Sequence, residues 1–128
     1  MAHRSRLAGF IIDCQTDELD PSAQFWSRAL GLTIADADAG DVSGTYQQFS
    51  NTPGDLHIEV QKVEHASRVH LDIEADDIDA EAARLEKLGA KKIAFVKRWW
   101  VMEAPSGHRF CVVRMHHPER GTPPNEWT

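Results

Sequence analysis

The chain has 128 residues, is 41% hydrophobic and 27% charged, and carries a formal net charge of −6. Its length suits one ordinary domain, and its composition is that of a folded protein rather than a disordered chain. The acidic charge argues against nucleic acid as a partner, since phosphate binding favours a basic surface, and no apolar run approaches the roughly 20 residues of a membrane span. Two cysteines, Cys14 and Cys111, make no disulfide framework and indicate a reducing cytoplasm.

The first half of the chain is predicted to contain one helix among short strands. An apolar run of strand length predicts a buried strand over 7–14. Asp20-Pro21 then begins a helix, with Asp at the N-cap and Pro at the first helical position, and Gly31 ends it. Further strands are predicted over 32–35, 46–50 and 56–63.

The second half begins with the stretch that most clearly combines packing and chemistry. Over 68–74 the residues alternate, so that three apolar side chains share one strand face and His70, Asp72 and Glu74 share the other. Asp76-Asp77 offers an N-cap to the helix that follows, and Gly89 ends that helix. Strands are then predicted over 91–97, 98–102 and 109–115, followed by an irregular tail over 116–128.

The order of predicted elements is therefore repeated: a strand, a helix and three strands, then the same again. Both predicted helices end in a Leu-Gly pair, at Leu30-Gly31 and at Leu88-Gly89. Matching ends in a matching order indicate a duplicated module. We predict a single domain over 1–128, with one module over 7–63 and a second over 68–115.

Several short motifs lie along both predicted modules. They are Phe25-Trp26-x-x-Ala29-Leu30-Gly31, Arg68-Val-His-Leu-Asp72, Asp77-Ile-Asp-Ala80, Leu85-x-x-Leu88-Gly89-Ala90, Trp99-Trp-Val-Met102 and Pro105-x-Gly107-x-x-Phe110-Cys-Val-Val113. In this order and spacing the chain resembles the vicinal oxygen chelate superfamily of glyoxalase, bleomycin-resistance and extradiol dioxygenase proteins, and most of all its glyoxalase-like single-domain branch. The resemblance implies an α+β fold of two βαβββ modules, whose mostly antiparallel curved sheets enclose a cleft with the helices on the outer face. It also implies a homodimer and a small-molecule ligand.

The resemblance further implies where metal ligands would lie, because metal-dependent relatives take them from the first and last strands of each module. His70 matches the opening ligand of the second module, and Glu59 matches the closing ligand of the first, with Gln61 as an alternative on the same face. Cys111 falls where relatives usually have Glu, and Phe10 falls where the first module would open the site. The implied site is His70, Glu59 and Cys111, a donor set that suits a divalent metal such as zinc.

Each of these residues also has a structural interpretation. His70 can hydrogen-bond to a carboxylate on a neighbouring strand, such as Glu59, which would still give a titratable pair near neutral pH. Cys111 can be a small buried hydrophobe. Asp72 and Glu74 are interpreted as rim or solvent charges rather than catalytic groups.

Aromatic side chains are predicted to line the cleft. Trp99 and Trp100 point to opposite faces of one strand, so that one packs under the helix and the other faces the ligand. We predict that Trp100 and Met102 face the cleft, where an indole suits a flat organic molecule. Phe10 and Gln61 are predicted to be further substrate-binding residues.

Two classes of function remain open. The favoured one is a glyoxalase-like protein that binds a small aromatic or oxygenated organic molecule beside a degenerate metal site. The alternative is a metal-dependent lyase, isomerase or dioxygenase of the vicinal oxygen chelate type, in which His70 and Glu59 serve as general base and orienting acid. The sequence is compatible both with an enzyme and with a non-catalytic binding protein.

Overall fold

The computed structural model of the protein describes residues 2–35 and 44–128. The first set of elements is β1 (His3–Gln15), α1 (Leu19–Leu30), β2 (Thr33–Ile34), β3 (Tyr46–Ser50) and β4 (His57–Val63). The second set is β5 (Arg68–Ala75), α2 (Ile78–Lys87), β6 (Lys91–Val96), β7 (Trp99–Glu103) and β8 (Arg109–Arg114), and β9 (Asn125–Trp127) follows it. The predicted α+β class and the repeated order of one strand, one helix and three strands are confirmed.

The chain divides into two compact units. The first-module unit is Phe10–Val69, and the second-module unit combines the residues up to Gly9 with His70–Thr128. The first part of β1 is therefore grouped with the elements of the second module. Its hydrogen bonds explain this: the backbone N–H of Arg4 donates to Asp76 over 2.8 Å, and the N–H of Asp76 donates to the Arg4 carbonyl over 3.1 Å.

In the first-module unit, β2, β3 and β4 form successive antiparallel pairs. Helix α1 begins slightly earlier than predicted, with Glu18 at the N-cap, so that Asp20 lies in its first turn. It ends where predicted, at Gly31, whose φ of 69° is the left-handed conformation that glycine adopts without a steric cost. Helix and sheet pack through apolar side chains of the core: Ile12, Cys14, Leu19, Ala23, Leu32, Phe49, Ile58 and Val60.

In the second-module unit, β5 runs parallel to β8, and β8, β7 and β6 form antiparallel pairs. Asp77 caps α2 as predicted, because its carboxylate accepts the Ala80 N–H over 3.0 Å. The core between this helix and the sheet consists of Ala82, Leu85, Met102, Phe110 and Val112. None of the helices within the described residues is long and apolar enough to span a membrane.

The apolar face predicted for β5 is only partly covered. Ile73 packs against the core below α2, but Val69 is 55% exposed and Leu71 is 51% exposed. Alternation places these side chains on one face correctly, but only Ile73 among them packs against the core below α2. The titratable face of the same strand is the more buried one around Asp72, which is 9% exposed.

The C-terminal segment is more ordered than the predicted irregular tail. Strand β9 pairs with the start of β1, matching His3 with Trp127. The Trp127 indole N–H donates to the Ser5 hydroxyl over 2.8 Å, and the Arg84 guanidinium lies 3.9 Å from the centre of the Trp127 ring. These partners lie far away along the chain, so the local Pro and Gly composition of the segment gives no sign of them.

Arg6 fixes the loop that leads into β9. Its Nε donates to Glu74 over 2.6 Å, and its remaining N–H groups donate to the backbone carbonyls of His117, Arg120 and Thr122 over 2.6 to 2.9 Å. An arginine is suited to this role because its planar guanidinium offers five donors in a fixed arrangement. The interpretation of Glu74 as a solvent charge is therefore corrected, since an ion pair holds its carboxylate.

Candidate functional site

The candidate site forms where β5 and β8 run side by side in the second-module unit. His70 and Asp72 point to the same face of β5 because they are two residues apart. Parallel pairing places Asp72 opposite Cys111 on β8. The potential ligand atoms of these three residues all lie within 4.8 Å of one another, and His70 Nε2 is 3.6 Å from Asp72 Oδ1. We refer to them as the His70–Asp72–Cys111 cluster.

The cluster is shielded from solvent but not closed off from it. Asp72 is 9% exposed, and His70 and Cys111 are half-buried. Val101 on β7 pairs with Cys111 on β8. Val101 and Trp99, which is two residues away on the same strand, therefore lie on the sheet face that carries the cluster. This arrangement combines an imidazole, a carboxylate and a thiol with apolar neighbours, and the partial exposure lets a small molecule or ion reach them.

The cluster fits a divalent metal. Imidazole nitrogen, carboxylate oxygen and thiolate sulfur bind zinc at about 2.0 to 2.3 Å, so donors on one tetrahedral ion lie roughly 3.5 Å apart. The His70–Asp72 separation of 3.6 Å is close to this value, and the largest separation within the cluster is below 4.8 Å. Side-chain rotations that shift the ligand atoms by about 1 Å would bring all three donors to one ion.

Asp72 was not among the predicted ligands, and its interpretation as a rim or solvent charge is corrected. The sequence did contain a signal, because His70 and Asp72 are spaced two apart on a strand that carries titratable groups on one face. What the sequence lacked was the register with β8, which places Cys111 opposite Asp72.

The structure places Glu59 and Gln61 on the polar face of β4 in the first-module unit. Glu59 Oε2 lies 3.3 Å from His57 Nε2, and the Gln61 amide donates to the Tyr46 hydroxyl over 3.1 Å. A metal-binding or catalytic role for Glu59 stays a prediction. Phe10 is partly buried against the core of the same unit, so packing accounts for its apolar character.

Trp100 and Met102 have the opposite orientation to the predicted one. Met102 is fully buried in the core beneath α2. The Trp100 indole N–H donates over 2.9 Å to Asp79 on the same helix, and its ring makes an edge contact with Phe95. The other face of β7, with Trp99 and Val101, is therefore the one that carries the cluster. Alternation alone shows that the two tryptophans point apart, and the position of α2 decides which one is covered.

The orientation of Trp100 can be tested by substitution. We expect Trp100→Phe to lower the free energy of unfolding by about 1 kcal/mol, because it removes the hydrogen bond to Asp79 and keeps an aromatic ring. If the cluster holds a metal ion, the affinity for that ion should be the same in this variant. Urea denaturation and zinc titration measure the two quantities, with Trp99→Phe as the matched control for stability. A tenfold change in zinc affinity in Trp100→Phe would contradict the assigned orientation.

Comparison with solved structures finds the same fold in proteins of low sequence identity. Methylmalonyl-CoA epimerase from Mycobacterium tuberculosis has a TM-score of 0.61 at 14% identity, covering 86% of this chain and 87% of the epimerase. A glyoxalase/bleomycin resistance protein/dioxygenase superfamily member from Vibrio splendidus has a TM-score of 0.56 at 12% identity, covering 87% of this chain and 99% of that protein. Homoprotocatechuate 2,3-dioxygenase from Brevibacterium fuscum has a TM-score of 0.55 at 17% identity, covering 95% of this chain and 38% of the dioxygenase.

A search of curated proteins finds no match to the chain. A family model does match it, over residues 9–113, which include both βαβββ modules almost completely. The predicted resemblance is thereby confirmed at the level of family and fold. The chain belongs to the glyoxalase-like domain family.

Proposed function

We propose that the protein binds a divalent metal, zinc by preference, at the His70–Asp72–Cys111 cluster and uses this site to hold a small oxygenated organic molecule. The observation that carries the proposal is the convergence of three different ligand types within 4.8 Å on two neighbouring strands. Three protein ligands are characteristic of zinc sites that keep a position open for another molecule.

The donor types support zinc over harder ions. A thiolate is a soft ligand that favours zinc, whereas magnesium and calcium favour oxygen ligands alone. The carboxylate of Asp72 and the thiolate of Cys111 together balance the charge of a divalent ion, with His70 as a neutral ligand. A bound ion would act as a Lewis acid toward a carbonyl or hydroxyl oxygen.

The surroundings support an organic ligand with an apolar part. Trp99 and Val101 lie on the face of the cluster, and Trp99 is half-buried. An indole offers a flat apolar surface for a ring or a short chain. The cluster would thus bind the oxygen atoms of the ligand, and the β7 side chains would contact its carbon skeleton.

Calorimetric titration of the metal-free, tag-free protein tests this proposal. We expect one zinc ion per chain, bound at least 100-fold more tightly than magnesium because of the thiolate. Acetohydroxamic acid, a small chelator with two oxygen donors, should then bind the zinc-loaded protein and not the metal-free protein. A zinc stoichiometry near zero would overturn the proposal.

A second candidate is an enzyme of the lyase or isomerase type in which His70 acts as a general base without a metal. The observation that favours it is the 3.6 Å approach of Asp72 to the His70 imidazole, since a carboxylate can orient a histidine base and stabilise its charged form. EDTA treatment separates the two candidates. Binding of acetohydroxamic acid should be lost after EDTA treatment if a metal ion carries the binding. A site that acts through His70 as a metal-free base should be unaffected by EDTA.

A further inference from the structure

We propose that Cys111 makes the metal site sensitive to oxidation: hydroperoxides convert its thiolate to a sulfenic acid, and the metal ion is then released. The inference rests on the proposed function, because it requires zinc at the His70–Asp72–Cys111 cluster. It concerns the regulation of that site rather than the ligand the site binds.

The two cysteines of the chain differ in ways that make one reactive and the other inert. Cys14 lies in the core of the first-module unit, and its thiol donates to the Ile12 carbonyl over 3.4 Å. Burial is the main cause that raises the pKa of the Cys14 thiol, and the charge of Asp13 raises it further, against a hydrogen bond with Ser22. Cys14 therefore stays protonated, and a protonated thiol is a poor nucleophile.

Cys111 differs from Cys14 in its exposure and in its neighbours. It is half-buried on β8, with its sulfur within 4.8 Å of the ligand atoms of His70 and Asp72. A thiol that coordinates a metal ion is deprotonated, so its sulfur carries the lone pair that attacks a peroxide. Partial exposure lets a small hydroperoxide reach the sulfur, which the buried Cys14 does not permit.

The oxidation step is balanced with a hydroperoxide as the only oxidant. The Cys111 thiolate attacks the terminal oxygen of the hydroperoxide, the S–O bond forms and the O–O bond breaks. Sulfur loses two electrons, and the leaving alkoxide, or hydroxide when the oxidant is hydrogen peroxide, takes a proton from water. The product is a sulfenic acid, which thiols can reduce back to cysteine.

Loss of the metal follows from the number of ligands that remain. A sulfenic acid is a neutral and much weaker ligand than a thiolate. His70 and Asp72 are then the only strong donors of the cluster, and two protein ligands fall short of the three or four found in zinc sites. The negative charge of the donor set is halved at the same time, which further weakens the attraction for a divalent ion.

The test uses the full-length, zinc-loaded protein treated with hydrogen peroxide. Released zinc is measured with the dye 4-(2-pyridylazo)resorcinol, and the sulfenic acid is trapped with dimedone and located by mass spectrometry. We expect one zinc ion released per chain and one dimedone adduct, on the peptide that contains Cys111. Dithiothreitol added before trapping should restore zinc binding.

Two variants serve as controls. Cys14→Ala should release zinc like the unaltered protein, because Cys14 is not a ligand. Cys111→Asp replaces the thiolate by an anionic oxygen donor, so its zinc should be indifferent to peroxide. Zinc that stays bound after peroxide, or an adduct found on Cys14 alone, would overturn this inference and leave the proposed function standing. Failure of the untreated protein to bind zinc would overturn both.

Discussion

Asp72→Asn is expected to weaken zinc binding about 100-fold or more, whereas Glu59→Gln is expected to leave it unchanged. Loss of outer-shell partners already costs about 10- to 100-fold in metal affinity, so loss of a charged direct ligand should reach at least the upper end of that range. Asp72 belongs to the cluster that lies within 4.8 Å, and Glu59 lies on β4 next to His57.

The two variants form a matched pair. Each replaces one carboxylate by an amide of nearly the same size, so each changes the net charge of the protein equally. A difference in zinc affinity between them therefore reports position and not overall charge. Competition titration against a zinc dye measures both, with circular dichroism to confirm the fold. Equal losses would place Glu59 among the ligands, and no loss in Asp72→Asn would remove Asp72 from them.

Glu81→Gln is expected to lower the free energy of unfolding by about 3 kcal/mol, the largest effect on stability that we predict. Glu81 is fully buried on α2 and accepts hydrogen bonds of 2.8 to 2.9 Å from His3, Ser5 and Arg84. The amide would leave the partly buried Arg84 guanidinium without its counter-charge. Leaving a charge of this kind unpaired is costly because the protein interior solvates it poorly.

Glu86→Gln is the control for this prediction. Glu86 is also on α2, but its side chain is exposed and lies 3.6 Å from an exposed Lys92. Exposed ion pairs contribute less than about 1 kcal/mol, so we expect only a small change. Urea denaturation at neutral pH measures both variants. A Glu81→Gln effect as small as that of Glu86→Gln would contradict the stabilising role of the buried carboxylate.

The pH dependence of stability offers an independent measurement of Glu81. Burial raises the pKa of this carboxyl, but hydrogen bonds from Arg84, His3 and Ser5 lower it more, so its pKa falls below the ordinary value of 4.5. The unfolded chain then binds the proton more readily than the folded protein. The contribution of Glu81 is therefore complete above pH 4.5 and is lost as the pH falls through the lower folded pKa. Urea denaturation between about pH 6 and pH 3 should show a shallower loss of stability in Glu81→Gln than in the unaltered protein.

Local sequence signals determined the elements of this protein and their order. Gly31 ends α1 because its left-handed conformation is readily available to glycine, and Asp77 begins α2 because its carboxylate accepts an N–H of the first turn. These interactions join residues a few positions apart, so the sequence alone predicts them. The repetition of one strand, one helix and three strands followed from the same signals, and the short motifs along it carried the resemblance to the family.

Only the tertiary structure decided which faces and which distant residues meet. Alternation showed that Trp99 and Trp100 point apart, but the packing of α2 on Met102 decided that Trp100 is the covered one. The parallel register of β5 and β8 decided that Asp72 lies opposite Cys111. A strand pattern repeats every two residues and is equally compatible with several partners and registers, so it carries no information about the residue across the ladder.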